Sequence, residues 1–319
     1  MRVPDFFIVG SPKTGTTALY EMLRAHPLVY MPDLKEPRFL ASDMRPRPKY
    51  AREWRERDYP DTLEEYLALF DDAKPEQRVG EATTMYLWSH TAANSIADLQ
   101  PSARIIAILR EPASFLRSLH LSFLRWGIES ETDLRKAISL EAARRDGRHI
   151  PRRSHRPQLL HYSDHVCYVD QLRRYRARFP PEQMLVLIHE DFHRDNEATV
   201  YKVLRFLELD DGPAIATRKV NVTKRGVRSQ LARDLMYSIS KGQAPLARAT
   251  KATIDVFTPR RLRRGATRMI RDHLVRADPP PLDESVMREL RERFKGEVIA
   301  LSEHLDRDLV SLWGYDSVG

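Results

Sequence analysis

The sequence predicts a three-layer α/β/α fold with a central parallel sheet, a P-loop-like phosphate loop and a helical C-terminal part. Three observations carry this. Short apolar runs without period-two alternation recur along the chain, as strands covered on both faces require. Longer helical patterns separate them, so successive strands are joined by crossovers and run parallel. The first apolar run ends in a glycine-rich turn, DFFIVGSPKTGTTALYEML, which opens directly into a helical pattern.

Taken in order, strands are expected at 6–9, 29–31, 78–80, 104–109 and 184–188, with helices at 16–25, 62–70, 112–126 and 163–178. After Asn196 the chain reads as helix and loop and ends in a long helix over 283–305. No composition shift marks a boundary, so residues 1–319 are expected to form a single domain. A hydrophobic content of 42% with 31% charged residues fits a buried core under a solvated surface. The longest apolar runs, such as 105–109 and 184–188, are far shorter than the roughly 20 residues of a membrane helix. The N-terminus shows no signal-peptide core, and a single cysteine, Cys167, makes neither an internal disulfide nor a thiolate zinc cluster. The expected location is the cytoplasm.

Lys plus Arg number 53 against 45 Asp plus Glu, a formal charge of +8 that steers anionic partners toward the chain. Arginine forks suit phosphate and sulfate oxygens. Three stretches concentrate charge: 44–59, 144–156 with six Arg against one Asp, and 259–276 with seven Arg against one Asp. Each reads either as a solvated surface or as a rim that attracts an anionic ligand. Few aromatics interleave with them and no DNA- or RNA-binding motif is present, so a nucleic-acid partner is not expected.

The chemistry concentrates in the glycine-rich turn. A strand–loop–helix of this kind aims backbone N–H groups and a helix N-terminus at one point, an anion site. Gly10, Gly15 and Thr17 keep the spacing of the Walker pattern G-x-x-x-x-G-K-[ST], but Thr16 stands where its lysine belongs. The lysine has moved into the loop, to Lys13. After the strand at 104–109, where a metal-holding Asp would serve an NTPase, stands the cation Arg110. The loop therefore suits one phosphate with no obligatory metal. The alternative, a P-loop NTP-dependent kinase or NTPase, lacks its lysine and its metal-binding acid.

These residues resemble the sulfotransferases that use 3′-phosphoadenosine 5′-phosphosulfate (PAPS), in a bacterial-type form related to the glycan and heparan branch. G-S-P-K-T-G-T-T is similar to the family's 5′-phosphosulfate loop, and RIIAILREPASFLRSLHLSFLR supplies Arg110 and, eight residues on, Ser118 for the 3′-phosphate. LKEPRFL resembles the family's K-E-P-[HR]-F-F segment and VGEATTMYL its G-E-[AK]-[ST]-P-x-Y segment, with Thr84 where Pro is usual and Ala82 where glycan-sulfating members often carry Lys. NVTKRGVRS is similar to the late loop that closes over the 3′-phosphate. The resemblance implies PAPS as co-substrate, PAP as product and no metal requirement. It implies Ser11, Pro12, Lys13, Thr14, Gly15, Thr16, Thr17, Arg110, Ser118, Lys224, Gly226 and Arg228 as cofactor-binding residues. Lys13 would stabilise the leaving oxygen, Lys35 the equatorial oxygens, and Glu81, facing the same crevice, would take the acceptor's proton. The acceptor is left open among sugar, lipid, aromatic alcohol and specialised metabolite, with the arginine stretches hinting at an anionic one.

Two histidine patterns compete for notice. His189–His193 spells HEDFH, but directly after a strand it is expected off-helix and therefore not as a zinc-protease motif. His161 and His165 at i, i+4 are expected on the acceptor side or on a helix surface. Asn221 heads a glycosylation sequon without meaning in a cytoplasmic chain.

Overall fold

The computed structural model describes residues 2–44, 59–152, 154, 156–209, 226–227, 276–277 and 281–318. The chain divides into two compact units, one of Met1–Leu119, His161–Val220 and Ser285–Gly319, the other of His120–Leu160 and Asn221–Glu284. In chain order the elements are β1 (Phe6–Gly10), α1 (Thr16–Arg24), β2 (Val29–Tyr30), α2 (Leu63–Ala68), β3 (Arg78–Ala82), α3 (Ala92–Leu99), β4 (Arg104–Leu109) and α4 (Pro112–Trp126). There follow α5 (Leu134–Ser139), α6 (Glu141–Arg145), α7 (Tyr168–Arg176), β5 (Met184–Ile188), α8 (His189–Arg194), α9 (Asn196–Phe206), β6 (Gly226–Val227), β7 (Arg276–Ala277), α10 (Glu284–Leu305) and α11 (Leu309–Leu312).

In the first unit, β1 to β5 form one all-parallel sheet in the order β2-β3-β1-β4-β5. β1 is buried along its length because both of its edges are paired and both of its faces are covered. Phe6 and Ile8 pack with Ala18, Leu19, Met22 and Leu23 of α1 and with Val200, Val203 and Leu204 of α9. Phe7 and Val9 alternate to the other face and are equally buried. From β1 the chain winds to one side, through β2 and β3, whereas β4 leads to β5 on the other. The strand order therefore reverses between β1 and β4, and the crevice beyond the carboxyl ends of those strands is where open α/β sheets take ligands.

The expected strands at 104–109 and 184–188 end as read, while β3 runs on to Ala82. Pairing of Gly80, Glu81 and Ala82 with Phe6, Phe7 and Ile8 extends it. The expected helix over 163–178 is divided: a 3-10 turn spans Tyr162–Val166, Cys167 leaves helical geometry at ψ 63°, and α7 starts at Tyr168. A distant carboxylate fixes that start, since Glu297 of α10 accepts the Val169 N–H at 2.8 Å. HEDFH corrects the expectation made of it, because it forms α8. Its acids lie in the first turn and His193 and Arg194 in the last, which complements the helix dipole, and Arg194 pairs with Asp191 at 2.5 Å.

In the second unit, Glu129 and Arg144 form a buried ion pair at 2.7 Å, with side chains 0% and 1% exposed. The N–H groups of Ser130 and Glu131 also donate to Glu129, and the Asp133 side chain caps α5. Arg144 thus leaves the expected anion-attracting rim and serves the interior. Most of 44–59 and 259–276 lies outside the described residues.

Candidate functional site

Because the five strands are parallel, the turns after β1, β3, β4 and β5 share one edge of the sheet. The turn after β1 is tied down first: the Ser11 N–H donates to the Ile108 carbonyl of β4 at 2.8 Å, and the Thr14 hydroxyl closes the loop on the Ser11 carbonyl at 2.7 Å. Lys13 takes a left-handed backbone, φ 67°, and so does Gly15, φ 99°, at the N-cap of α1. A Cβ at Gly15 would stand 2.9 Å from the Phe192 ring. Gly15→Ala is therefore expected to destabilise the fold by about 1–3 kcal/mol, measured by denaturant unfolding, with the loop as the place of damage.

α1 starts with no side-chain cap and no acidic residue in its first turn, so its positive end is available to an anion. Arg110, at the end of β4, leans across the turn, and its Nη1 donates to the Lys13 carbonyl at 3.2 Å. Burial lowers its pKa, opposed by the charge of Glu190. The buried Arg110 Nε and Ser11 Oγ have no hydrogen-bond partner among the described residues. An unpaired guanidinium N–H and an unpaired hydroxyl beside an uncapped helix make a place where an anion could be held. Pro12 and Lys13 are half-buried, Thr16 is buried, and Thr17 is exposed on the first turn of α1. Ser118 is half-buried on α4. Lys224 and Arg228 lie outside the described residues, and Gly226 pairs with Ala277 in the short antiparallel β6–β7 ribbon.

The LKEPRFL segment docks on the turn after β3. The Glu36 N–H donates to the Ala82 carbonyl at 3.0 Å, and both Glu36 and Arg38 adopt φ 60°. Lys35 Nζ stands 3.4 Å from Glu36 Oε1, while Arg38 Nη2 binds Glu36 Oε2 at 2.7 Å. Thr84, at the position where Pro is usual, donates its hydroxyl to Glu36 Oε1 at 3.1 Å. Burial acts to raise the pKa of Glu36, but the charges of Arg38 and Lys35 outweigh it and hold the carboxyl below its ordinary value. Glu36 went unremarked in the sequence because its lysine neighbour carried the expectation. Its signal is that it is the acid of the same short motif.

Glu81 departs from its expected aspect. It does not open onto the crevice but is 0% exposed, with Oε2 accepting the Tyr66 hydroxyl at 3.0 Å. The register that pairs it with Phe7 points it into the covered face. Burial raises its pKa to about 7, with the hydroxyls of Thr83, Tyr86 and Tyr66 pulling the other way.

His189 was missed as a neighbour of the phosphate loop. Its Nδ1–H donates to the Thr14 carbonyl at 2.8 Å, which fixes that tautomer. His165 is not on a helix surface: it is buried in the 3-10 turn and stacks on Trp88 with centroids 4.4 Å apart. His161 turns to Asp164 at 3.6 Å. Among the described residues no group of three or more His, Cys, Asp and Glu side chains could hold a metal ion.

The site is thus that of an α/β protein with a strand–loop–helix turn at the carboxyl edge of a parallel sheet, the lysine lying inside the turn. A model of the sulfotransferase family matches residues 4–213, and the chain belongs to that family. Carbohydrate sulfotransferase 15 of Homo sapiens is 27% identical over 275 residues, covering 70% of this chain and 46% of that protein. Bifunctional heparan sulfate N-deacetylase/N-sulfotransferase 3 of Homo sapiens is 26% identical over 216 residues, covering 65% of this chain and 22% of that protein. The match thus spans less than half the length of either relative. In fold, the chain is similar to a sulfotransferase from Alicyclobacillus acidocaldarius, with a TM-score of 0.69 at 23% identity over 98% of this chain and 99% of that one.

Proposed function

We propose that this chain transfers a sulfuryl group from PAPS to a hydroxyl of a glycan, lipid or specialised-metabolite acceptor by in-line displacement, within one sulfotransferase domain over 1–319. The observation that carries the reading is the joint placement of Lys13 and Arg110, the guanidinium of one on the carbonyl of the other at the strand-order reversal. PAPS, when bound, supplies the activated sulfuryl group and a nucleotide leaving group. The backbone of residues 11–17, with the Thr16 and Thr17 hydroxyls, would hold the 5′-phosphate, and Arg110 with Ser118 the 3′-phosphate. Lys224, Gly226 and Arg228 are proposed for the same phosphate. Lys13 would place an ammonium where negative charge grows on the departing oxygen, and Lys35 would serve the equatorial oxygens. The chemistry requires no metal. The cytoplasmic placement drawn from the single cysteine belongs to the same proposal; no helix among the described residues is long and apolar enough to cross a membrane.

Two carboxylates compete for the acceptor's proton. Glu81 has the pKa suited to a base at neutral pH. A second reading gives the role to Glu36, because its side chain is 23% exposed and adjoins Lys35 whereas Glu81 is enclosed.

The kinase alternative is not favoured, and thermal unfolding separates the two. At about 100 times its Kd a ligand adds about 2.7 kcal/mol to the folded state, a rise in Tm of about 5 °C. PAP is expected to produce that rise and ATP with Mg²⁺ to produce little. A rise with Mg-ATP alone would return the kinase reading.

A further inference from the structure

The C-terminal turn carries two aromatic donors that no role above uses. After α11 the chain reverses through Gly314, φ 73°, and buries Trp313 on one side of it and Tyr315 on the other. Trp313 Nε1–H donates to Glu190 Oε2 at 2.9 Å, and the Tyr315 hydroxyl donates to Glu111 Oε1 at 2.7 Å. These two carboxylates hold matching places. Glu111 follows Arg110 at the end of β4, and Glu190 follows His189 at the end of β5. Arg110 and His189 each bind one carbonyl of the phosphate loop, those of Lys13 and Thr14. Two short relays therefore run side by side from the C-terminal turn to consecutive peptide groups of the loop.

Peptide geometry gives the relays a consequence. In a planar trans peptide the N–H points opposite to the C=O. Drawing the Lys13 and Thr14 carbonyls toward Arg110 and His189 turns the N–H groups of Thr14 and Gly15 to the other side. Neither N–H has a backbone acceptor among the described residues. The first relay is stiffened further, because Glu111 also caps α4 through the N–H groups of Ala113 and Ser114, with Arg291 at 3.7 Å, and the Tyr168 hydroxyl holds the Arg110 carbonyl at 3.0 Å.

We propose that Trp313 and Tyr315 are positioning residues for the phosphate loop, acting through Glu190–His189 and Glu111–Arg110 to aim the Thr14 and Gly15 N–H groups at a nucleotide phosphate. The clasp rests on the PAP reading for its ligand, but not for its geometry. Tyr315→Phe keeps the buried ring and removes only the donor, whereas Trp313→Phe removes the indole N–H together with part of the ring, so Tyr315→Phe is the cleaner of the two. Tyr30→Phe is the control, since it deletes a hydroxyl bonded to the Leu69 carbonyl at 3.1 Å, away from both relays.

Two measurements on the 319-residue chain decide the matter. Amide hydrogen exchange over residues 11–19, without ligand, is expected to rise about tenfold in Tyr315→Phe and in Trp313→Phe and to stay at the wild-type level in Tyr30→Phe. The Kd for PAP by calorimetry is expected to rise by a similar factor in the two clasp variants only. Unchanged exchange at 11–19 in both clasp variants, with only a lower Tm, would overturn the clasp. If wild-type protein binds no PAP while exchange still responds, the clasp stands and the nucleotide reading falls.

Discussion

Lys13→Ala is expected to lower kcat by about 10²–10³ while the Kd for PAP changes far less, measured under saturating PAPS and by titration of PAP. The asymmetry follows from the proposed place of the ammonium. A charge placed at a developing oxyanion stabilises the transition state more than the bound ground state, and removing one such donor typically costs that factor. The variant is clean for a structural reason. Lys13 has φ 67°, and alanine keeps a Cβ there, so the backbone cost of the left-handed conformation is carried over. The Lys13 carbonyl that Arg110 binds is also kept. Equal losses in PAP affinity and in kcat would give Lys13 a binding role only.

The second large effect concerns the base. If Glu81 takes the proton, kcat rises with pH through about 7, and Glu81→Gln abolishes transfer by about 10²–10⁴ with PAP affinity intact. If Glu36 takes it, kcat does not rise through pH 7, because its carboxyl is held below its ordinary value and is already ionised there, and Glu36→Gln carries the loss. Stability reports on Glu81 separately. Its folded pKa, about 7, lies above the ordinary 4.5, so the folded chain keeps a proton that the unfolded chain has lost. The favourable contribution is full below pH 4.5, declines as pH rises, and is gone above about pH 7, a swing of about 3 kcal/mol. Glu81→Gln should remove that slope from a series of denaturation curves, whatever its role in transfer.

The sheet was legible because parallel strands covered on both faces must be apolar throughout, as 104–109 and 184–188 are. The phosphate loop was legible because glycine spacing and a misplaced lysine are local features. What stayed hidden is tertiary. The break at Cys167 depends on Glu297, more than a hundred residues away. Helix α8 forms from a HEDFH segment whose place after a strand argued for a turn. The enclosure of Glu81 follows from Tyr66, a residue of α2 that no spacing rule joins to β3. The contacts of Tyr315 with Glu111 and of Trp313 with Glu190 likewise appear only once the C-terminal turn is in place.

The most direct measurement is mass spectrometry of the purified chain incubated with PAPS and a panel of glycan, lipid and aromatic-alcohol acceptors, beside the same panel with ATP and Mg²⁺. PAP is expected to accumulate with the gain of one sulfuryl group on an acceptor hydroxyl, and the ATP arm is expected to stay unchanged. Intact PAPS across the panel, with phosphoryl transfer from ATP, would contradict a sulfuryl-transfer site built on Lys13 and Arg110.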